Sequence, residues 1–242
     1  MGKQHYHSAN IEREDRILDA ASELILHYGF DKTTVSDIAR AASVSKGAIY
    51  LHFDSKETLV DALVLREIKR YTDRTLALLE ADESQWAFIG MYQSALRAMT
   101  ETEIVSAMAR ADERVFGSYL RKTSLDLSGF KRRTRLPLLR LLQGVGAIRQ
   151  DADLQAVDYI LSLLMHGALY PTKAVVPEQS IPFDRFVAGF GEMMERWLVP
   201  EDGGNWEEGR RVLLKTLRQY RDMMDELFDR SDRKVGSEED HG

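Results

Sequence analysis

The chain has 242 residues, with 33 Lys and Arg against 39 Asp and Glu, a formal net charge of −6 and no cysteine. The missing cysteine excludes disulfides, thiolate metal sites and cysteine nucleophiles, and the charge excludes a globally basic nucleic-acid binder while leaving room for a local binding face. A hydrophobic share of 44% is enough for a buried core. No apolar run approaches the ~18 residues of a membrane span. The first residues are polar and charged, so no signal peptide is read and a cytoplasmic location is expected.

The 3.6-residue period dominates and alternating β-branched runs are missing, which predicts an all-α fold. A first helix is expected over Ile11–Tyr28, with Ile17, Leu18, Ala21, Leu24, Ile25 and Tyr28 on one face and Gly29 as its stop. Thr34-x-x-Asp37 reads as a capping box opening a helix over Val35 to Ala42. Ser43-Val44 makes a turn, and Ser45 caps a very short helix over Lys46–Leu51. Asp54 or Ser55 then caps a long helix from Lys56 to about Leu79, ~36 Å at 1.5 Å per residue. Further helices are expected over Ser84–Ala98 and Glu103–Arg121. Another lies around Pro137–Gly144, with the proline in its first turn or kinking it. Three strongly periodic segments follow: Leu154–Tyr170, Phe183–Leu198 and, after Gly203-Gly204, Trp206–Phe228. The polar stretch 229–242 reads as a disordered tail.

Ile38-Ala39 on one helix, a tight turn at Ala42-Ser43-Val44 and Ile49 on the next make a helix-turn-helix pattern. Ala39 is small where two helices cross steeply, Val44 plugs the turn and Ile49 anchors the second helix. Ser45, Lys46, Gly47, Ala48 and Tyr50 are left on the outer side, and Gly47 and Ala48 are small enough for close approach to a base pair.

On these residues the segment Ile17–Tyr71 resembles the TetR family of bacterial transcription regulators. The stretches Thr33-Thr34-Val35-Ser36-Asp37-Ile38-Ala39 and Val44-Ser45-Lys46-Gly47-Ala48-Ile49-Tyr50-Leu51-His52-Phe53-Asp54-Ser55-Lys56-Glu57-Thr58-Leu59 carry the likeness. Gly146 to Asp153, leading into a helix, looks like the family's entry to its dimerising helix. The resemblance implies a helix-turn-helix domain over 11–56, a helical ligand-binding and dimerisation domain over 57–228, and the tail. It also implies roles. Tyr50, His52 and Lys56 would contact phosphates. Thr34 and Ser36 would bind another through hydroxyl and backbone N–H groups. Ser45, Lys46 and Ala48 would face base edges, with Gly47 allowing the approach and Lys46 able to read guanine. Between Asp31 and Lys56 there are four basic and three acidic residues, so binding would rest on placed contacts more than on bulk charge.

Trp86, Tyr92, Met108, Phe116 and Tyr119 on the middle helices are candidates for a pocket taking an amphipathic or aromatic small molecule. Surplus apolar surface on the helices 154–170 and 183–198 points to a homodimer through Leu161, Leu164, Phe186, Phe190, Met194 and Trp197. The basic run Lys131-Arg132-Arg133-Arg135 reads as a solvated face, with an anionic-ligand or extra DNA contact as the alternative, and His166 as a core or interface histidine, with a ligand contact as the alternative. No histidines pair at metal-ligand spacing within a helix except His5 and His7, near the start of the chain, and no P-loop, dinucleotide fingerprint, nucleophile elbow or HExxH occurs. Neither an enzyme, a metal nor a cofactor is therefore expected. The function expected is a dimeric repressor released from double-stranded operator DNA by a small ligand. The alternatives are a DNA-binding factor of the same fold without small-molecule control, and a helical adaptor or enzyme.

Overall fold

The computed structural model describes residues 2–81, 87–123, 127–169 and 181–236. They are helical, with no strand among the described residues. The helices are α1 Gly2–Tyr28, α2 Val35–Ala41, α3 Lys46–Tyr50, α4 Lys56–Ala81, α5 Ala87–Thr100 and α6 Glu103–Ala109. They continue with α7 Glu113–Phe116, α8 Tyr119–Lys122, α9 Leu127–Gly144, α10 Leu154–Leu169, α11 Phe183–Leu198 and α12 Trp206–Gly236. No helix among the described residues is long and apolar enough to cross a membrane.

The chain divides into two compact units. The first holds Met1–Lys69, Glu103–Leu125 and Met223–Gly242, and the second Arg70–Thr102 and Asp126–Asp222. The boundary is not the one read from sequence, because the segment 103–125 joins the helix-turn-helix rather than the helices around it.

In the first unit, Ile17, Leu18, Ala21 and Ile25 of α1 are fully buried, as their spacing predicts, whereas Leu24 is half-buried and Tyr28, assigned to the same face, is 56% exposed at the end of the helix. Ile38, Ala39 and Ile49 bury beside them, at 0%, 4% and 1% exposure. Each large aliphatic side chain buried in this way stabilises the unit by roughly 1.5–3 kcal/mol. The turn between α2 and α3 is closed by the Val44 amide on the Ala39 carbonyl, at 2.9 Å. Ser55, not Asp54, caps α4: the Thr58 amide donates to Ser55 Oγ and the Ser55 amide to Thr58 Oγ1, both at 3.0 Å. Threonine here takes the place that Glu or Gln holds in a capping box.

The single helix expected over Glu103–Arg121 is three short ones. Ala111 and Gly117 have φ of +48° and +46°, which breaks the α-helical path, and Asp112 restarts it by accepting from the Arg114 amide at 3.0 Å. The proline at 137 lies inside α9, which starts ten residues earlier, at Leu127. The last helix runs to Gly236, past the expected start of the tail.

The second unit is built on Phe88, Tyr92 and Leu96 of α5, Leu138, Leu139 and Leu142 of α9, Val157 and Leu161 of α10, and Val187, Phe190 and Met194 of α11. Helices α5 and α11 cross closely at Gly191, where a Cβ would stand 2.2 Å from Gln93 Nε2. The same Gln93 amide donates to the Val187 carbonyl at 3.1 Å. A side chain at 191 would break that bond.

Candidate functional site

The outer surface of α2 and α3 is assembled as the spacing requires. Thr34, Ser36, Ser45, Lys46, Gly47 and Tyr50 are exposed and Ala48 is half-buried. Ser45 Oγ accepts from the Ala48 amide at 3.0 Å, so the cap uses its lone pair and leaves its proton to donate. Lys46 Nζ lies 5.8 Å from the Tyr50 ring centroid. At Gly47 a Cβ would meet only Ser45 Oγ, at 3.8 Å, and its φ is not positive. Neither packing nor backbone conformation therefore demands glycine there.

The start of α2 is more occupied than the sequence indicates. Thr34 Oγ1 donates to Asp37 Oδ2 at 2.6 Å and accepts from the Asp37 amide at 3.2 Å. The Thr34 amide also donates to Asp37. These bonds from Thr34, with the Arg40 charge behind them, hold the Asp37 carboxyl below the usual range. Asp37 is thus an anion at the helix start, paired with Arg40.

Two residues expected on phosphates are turned inward. Lys56 Nζ donates to the carbonyls of Phe30 and Thr33 at 2.8 and 3.0 Å and stands 3.9 Å from the Phe30 ring centroid. Burial lowers its pKa. A cation next to the carbonyls that end one helix and lead into the next is a local clamp. The position of Lys56 in the first turn of α4 gives no hint of this, because the carbonyls lie more than twenty residues away in sequence.

His52 faces α1, with Nδ1 3.9 Å from Glu14 Oε2 and its side chain 10% exposed. Burial, and then the Arg13 charge, lower its pKa below 6.5. The unfolded chain therefore takes up the proton first as pH falls. The neutral imidazole's contribution is complete above about pH 6.5 and is lost progressively below it. His52→Gln is expected to flatten the fall in thermal midpoint between about pH 7.5 and about pH 5.5; equal slopes for the two proteins would refute the assignment.

A second set of contacts ties α7 and α8 to the link between α1 and α2. The Phe30 amide donates to the Val115 carbonyl at 2.7 Å. Asp31 Oδ2 accepts from the Ser118 amide at 3.1 Å, and these Ser118 bonds lower the Asp31 pKa. Tyr119 donates to Asp61 at 2.6 Å and Lys122 Nζ to Glu57 at 2.9 Å. Gly29 ends α1 at φ +85°, and a Cβ there would stand 2.6 Å from the Arg114 carbonyl oxygen. The sequence signals the glycine stop but not the partner that needs it.

The structure does not gather the five aromatic and methionine residues into one lining. Phe116 and Tyr119 are fully buried in the first unit, with ring centroids 5.7 Å apart, and Tyr119 also packs on Phe30. Met108 is half-buried on α6. Tyr92 lies in the second unit, between Phe88 at 5.1 Å and Phe190 at 6.2 Å. Helical spacing reads a core aromatic and a pocket aromatic alike. Trp86 lies outside the described residues, as do the side chains of Lys131, Arg132, Arg133 and His166.

Arg135, expected on a solvated face, is turned into the second unit. It bonds the carboxylate of Asp158, the Asp158 carbonyl and the Ser162 hydroxyl. Tyr92 lies beside it with its hydroxyl buried, and that burial raises its pKa while the Arg135 charge opposes the rise.

On α10 and α11 the expected interface residues divide. Leu161, Phe190 and Met194 are buried in the protomer's own core and are not available to a partner. Leu164, Phe186 and Trp197 are half-buried. The exposed apolar side holds Tyr159 (66% exposed), Leu163 (55%), Ile160, Phe183 and Met193. Gly167 and Gly189 are open on these helices.

Residues 17–63 match the model of bacterial regulatory proteins of the tetR family. The A-factor receptor protein of Streptomyces griseus is 33% identical over 93 residues, 36% of this chain and 33% of that one. The HTH-type transcriptional repressor AcnR of Corynebacterium jeikeium is 27% identical over 160 residues, 65% of this chain and 80% of that one. Among solved structures, NalD, the secondary repressor of the MexAB-OprM multidrug efflux pump in Pseudomonas aeruginosa, superposes with a TM-score of 0.56 at 21% identity. That superposition covers 80% of this chain and 99% of that one. The chain spans 39%, 33% and 49% of the lengths of three of the curated relatives it matches.

Proposed function

The chain belongs to the TetR family of bacterial regulatory proteins, and on that premise we propose that it is a dimeric transcriptional repressor, released from operator DNA by a small amphipathic or aromatic molecule. The observation that carries this reading is the open surface over Gly47, between Lys46 and Tyr50 on an anchored α3. Glycine inside a helix is less stable than alanine by roughly 0.5–1 kcal/mol. No contact among the described residues offsets that cost, whereas close approach of a base pair would.

Ser45 and Lys46 then face base edges, while Tyr50, Ser36 and Thr34 lie toward phosphates. Lys56 and His52 act by holding the reading elements in place. The apolar stripes of Tyr159, Ile160, Leu163 and Met193 pair across a two-fold axis into a four-helix bundle. A small ligand bound in the second unit controls release. The A-factor receptor's name places a receptor among the relatives, which supports ligand control over a factor without it.

Selecting bound sequences from a random duplex pool tests the reading. Enrichment of a palindrome with half-sites about one helical turn apart is expected; no salt-sensitive binding to any duplex would overturn it. Gly47→Ala sharpens the test. The variant is expected to be more stable to urea by roughly 0.5–1 kcal/mol and to bind the selected operator more weakly. Gain of stability with unchanged operator affinity would remove Gly47 from the interface.

A further inference from the structure

One apolar side chain stands outward at the end of α3 and takes no part in the core. Leu51 is 65% exposed, more than any other large apolar residue of the first unit among the described residues. It continues the helical path: its amide donates to the Gly47 carbonyl at 3.1 Å, and its φ and ψ are −74° and −20°. At 3.6 residues per turn, Leu51 follows Gly47 by about one turn on the same face, and both lie ~160° around the helix from Ile49, which is buried. The next two side chains turn inward, His52 toward α1 and Phe53 into the core. Leu51 alone at this end of α3 adds apolar surface to the face that Gly47 leaves open.

We propose that Leu51 is a specificity-determining residue that packs on the C5-methyl group of a thymine in the major groove, one turn along α3 from the base pair that approaches Gly47. The inference rests on the operator reading of Gly47 above and names a base for that face. A docking that brings a base pair against Gly47 carries the next side chain on the same face into the groove with it. The edges of the base pairs there present hydrogen-bond donors and acceptors and one apolar group, the thymine methyl. Leucine neither donates nor accepts, so it discriminates through that methyl, and their contact removes apolar surface of both from water. The other bases lack the methyl and offer the side chain nothing comparable. Tyr50 beside it, 46% exposed, carries a hydroxyl suited to a phosphate, which leaves Leu51 as the apolar reader of the pair.

The probe is the duplex selected from the random pool, with the thymines of its two half-sites replaced by deoxyuridine one symmetric pair at a time. The replacement removes the methyl and keeps the base pairing and the O4 acceptor. For the full chain, one such pair is expected to weaken binding ~15-fold, ~4-fold for each methyl. Leu51→Ala is expected to bind the unmodified operator more weakly and to respond to that same pair less than ~2-fold, the non-additivity expected of two groups in contact. Its urea midpoint should match that of the parent, because the leucine is exposed. A parent protein indifferent to deoxyuridine at every position, or an equal response of parent and variant at each one, would overturn the proposal. Failure of the parent to bind any duplex would overturn the operator reading itself, and this assignment with it.

Discussion

Lys56→Ala is expected to destabilise the first unit by about 2–3 kcal/mol and to weaken operator binding without changing its salt dependence. The lysine makes two hydrogen bonds to backbone carbonyls, and bonds from a charged donor contribute about 1.5–3 kcal/mol. The Phe30 ring beneath the ammonium adds a cation–π term of ~0.5–2 kcal/mol. Alanine removes all three contacts and frees the link that leads into α2. The cap at Thr34 and the placement of α3 against α2 then loosen, and affinity falls alike for every sequence. A residue lying on a phosphate behaves differently. Its removal leaves stability nearly untouched and lowers the slope of log affinity against log salt by ~0.9. Urea midpoints and a salt titration with the same protein separate the two. An unchanged midpoint with a reduced slope would return Lys56 to the phosphate backbone. Lys46→Ala is the control, since Lys46 is exposed: stability should hold while base preference relaxes.

The sequence is most legible where structure is local. The caps at Thr34, Ser45 and Ser55, the glycine after α1 and the buried set Ile38, Ala39 and Ile49 depend on neighbours within a turn or two, and hydrophobic period reads them directly. It is least legible where a contact closes over a long separation. Asp31 and Ser118 are 87 residues apart. Nothing at Asp31 marks it as the anchor of α8, and nothing between 103 and 121 marks the breaks at Ala111 and Gly117 except the glycine itself. The inward turn of Arg135 is a third case: four basic residues within five positions look solvated, yet one of them completes a part-buried pair with Asp158.

The interface proposed on α10 and α11 shows the same limit in another form. Leu161, Phe190 and Met194, on the strongest apolar stripes, are buried in the chain's own core. The stripe proposed to pair is offset by one or two residues and mixed with small ones: Tyr159, Ile160 and Leu163 beside Gly167, and Met193 beside Gly189. Period alone assigns the interface to Leu161, Leu164, Phe186, Phe190, Met194 and Trp197; exposure favours the neighbours of the three buried ones as the proposed contacts.

Leu163→Arg is therefore expected to yield a folded monomer with operator affinity reduced ~100-fold or more. Leu163 is 55% exposed in the protomer, so the longer, charged side chain is accommodated without disturbing the fold. Across a two-fold interface the same substitution appears twice, close to its own copy. Burying two unpaired guanidinium groups costs several kcal/mol each, enough to dissociate a standard interface of roughly 800 Å² per partner. The monomer then reads one half-site. Losing the second linked head removes the avidity that multiplies affinity by 10²–10⁴. Leu161→Arg provides the contrast: that side chain is wholly buried in the protomer, and its replacement should abolish folding rather than dimerisation. Sedimentation and circular dichroism on both variants resolve the assignment. A Leu163→Arg protein that remains dimeric at micromolar concentration would place the two-fold axis elsewhere, and a folded, monomeric Leu161→Arg protein would restore the interface to the stripe that hydrophobic period alone selects.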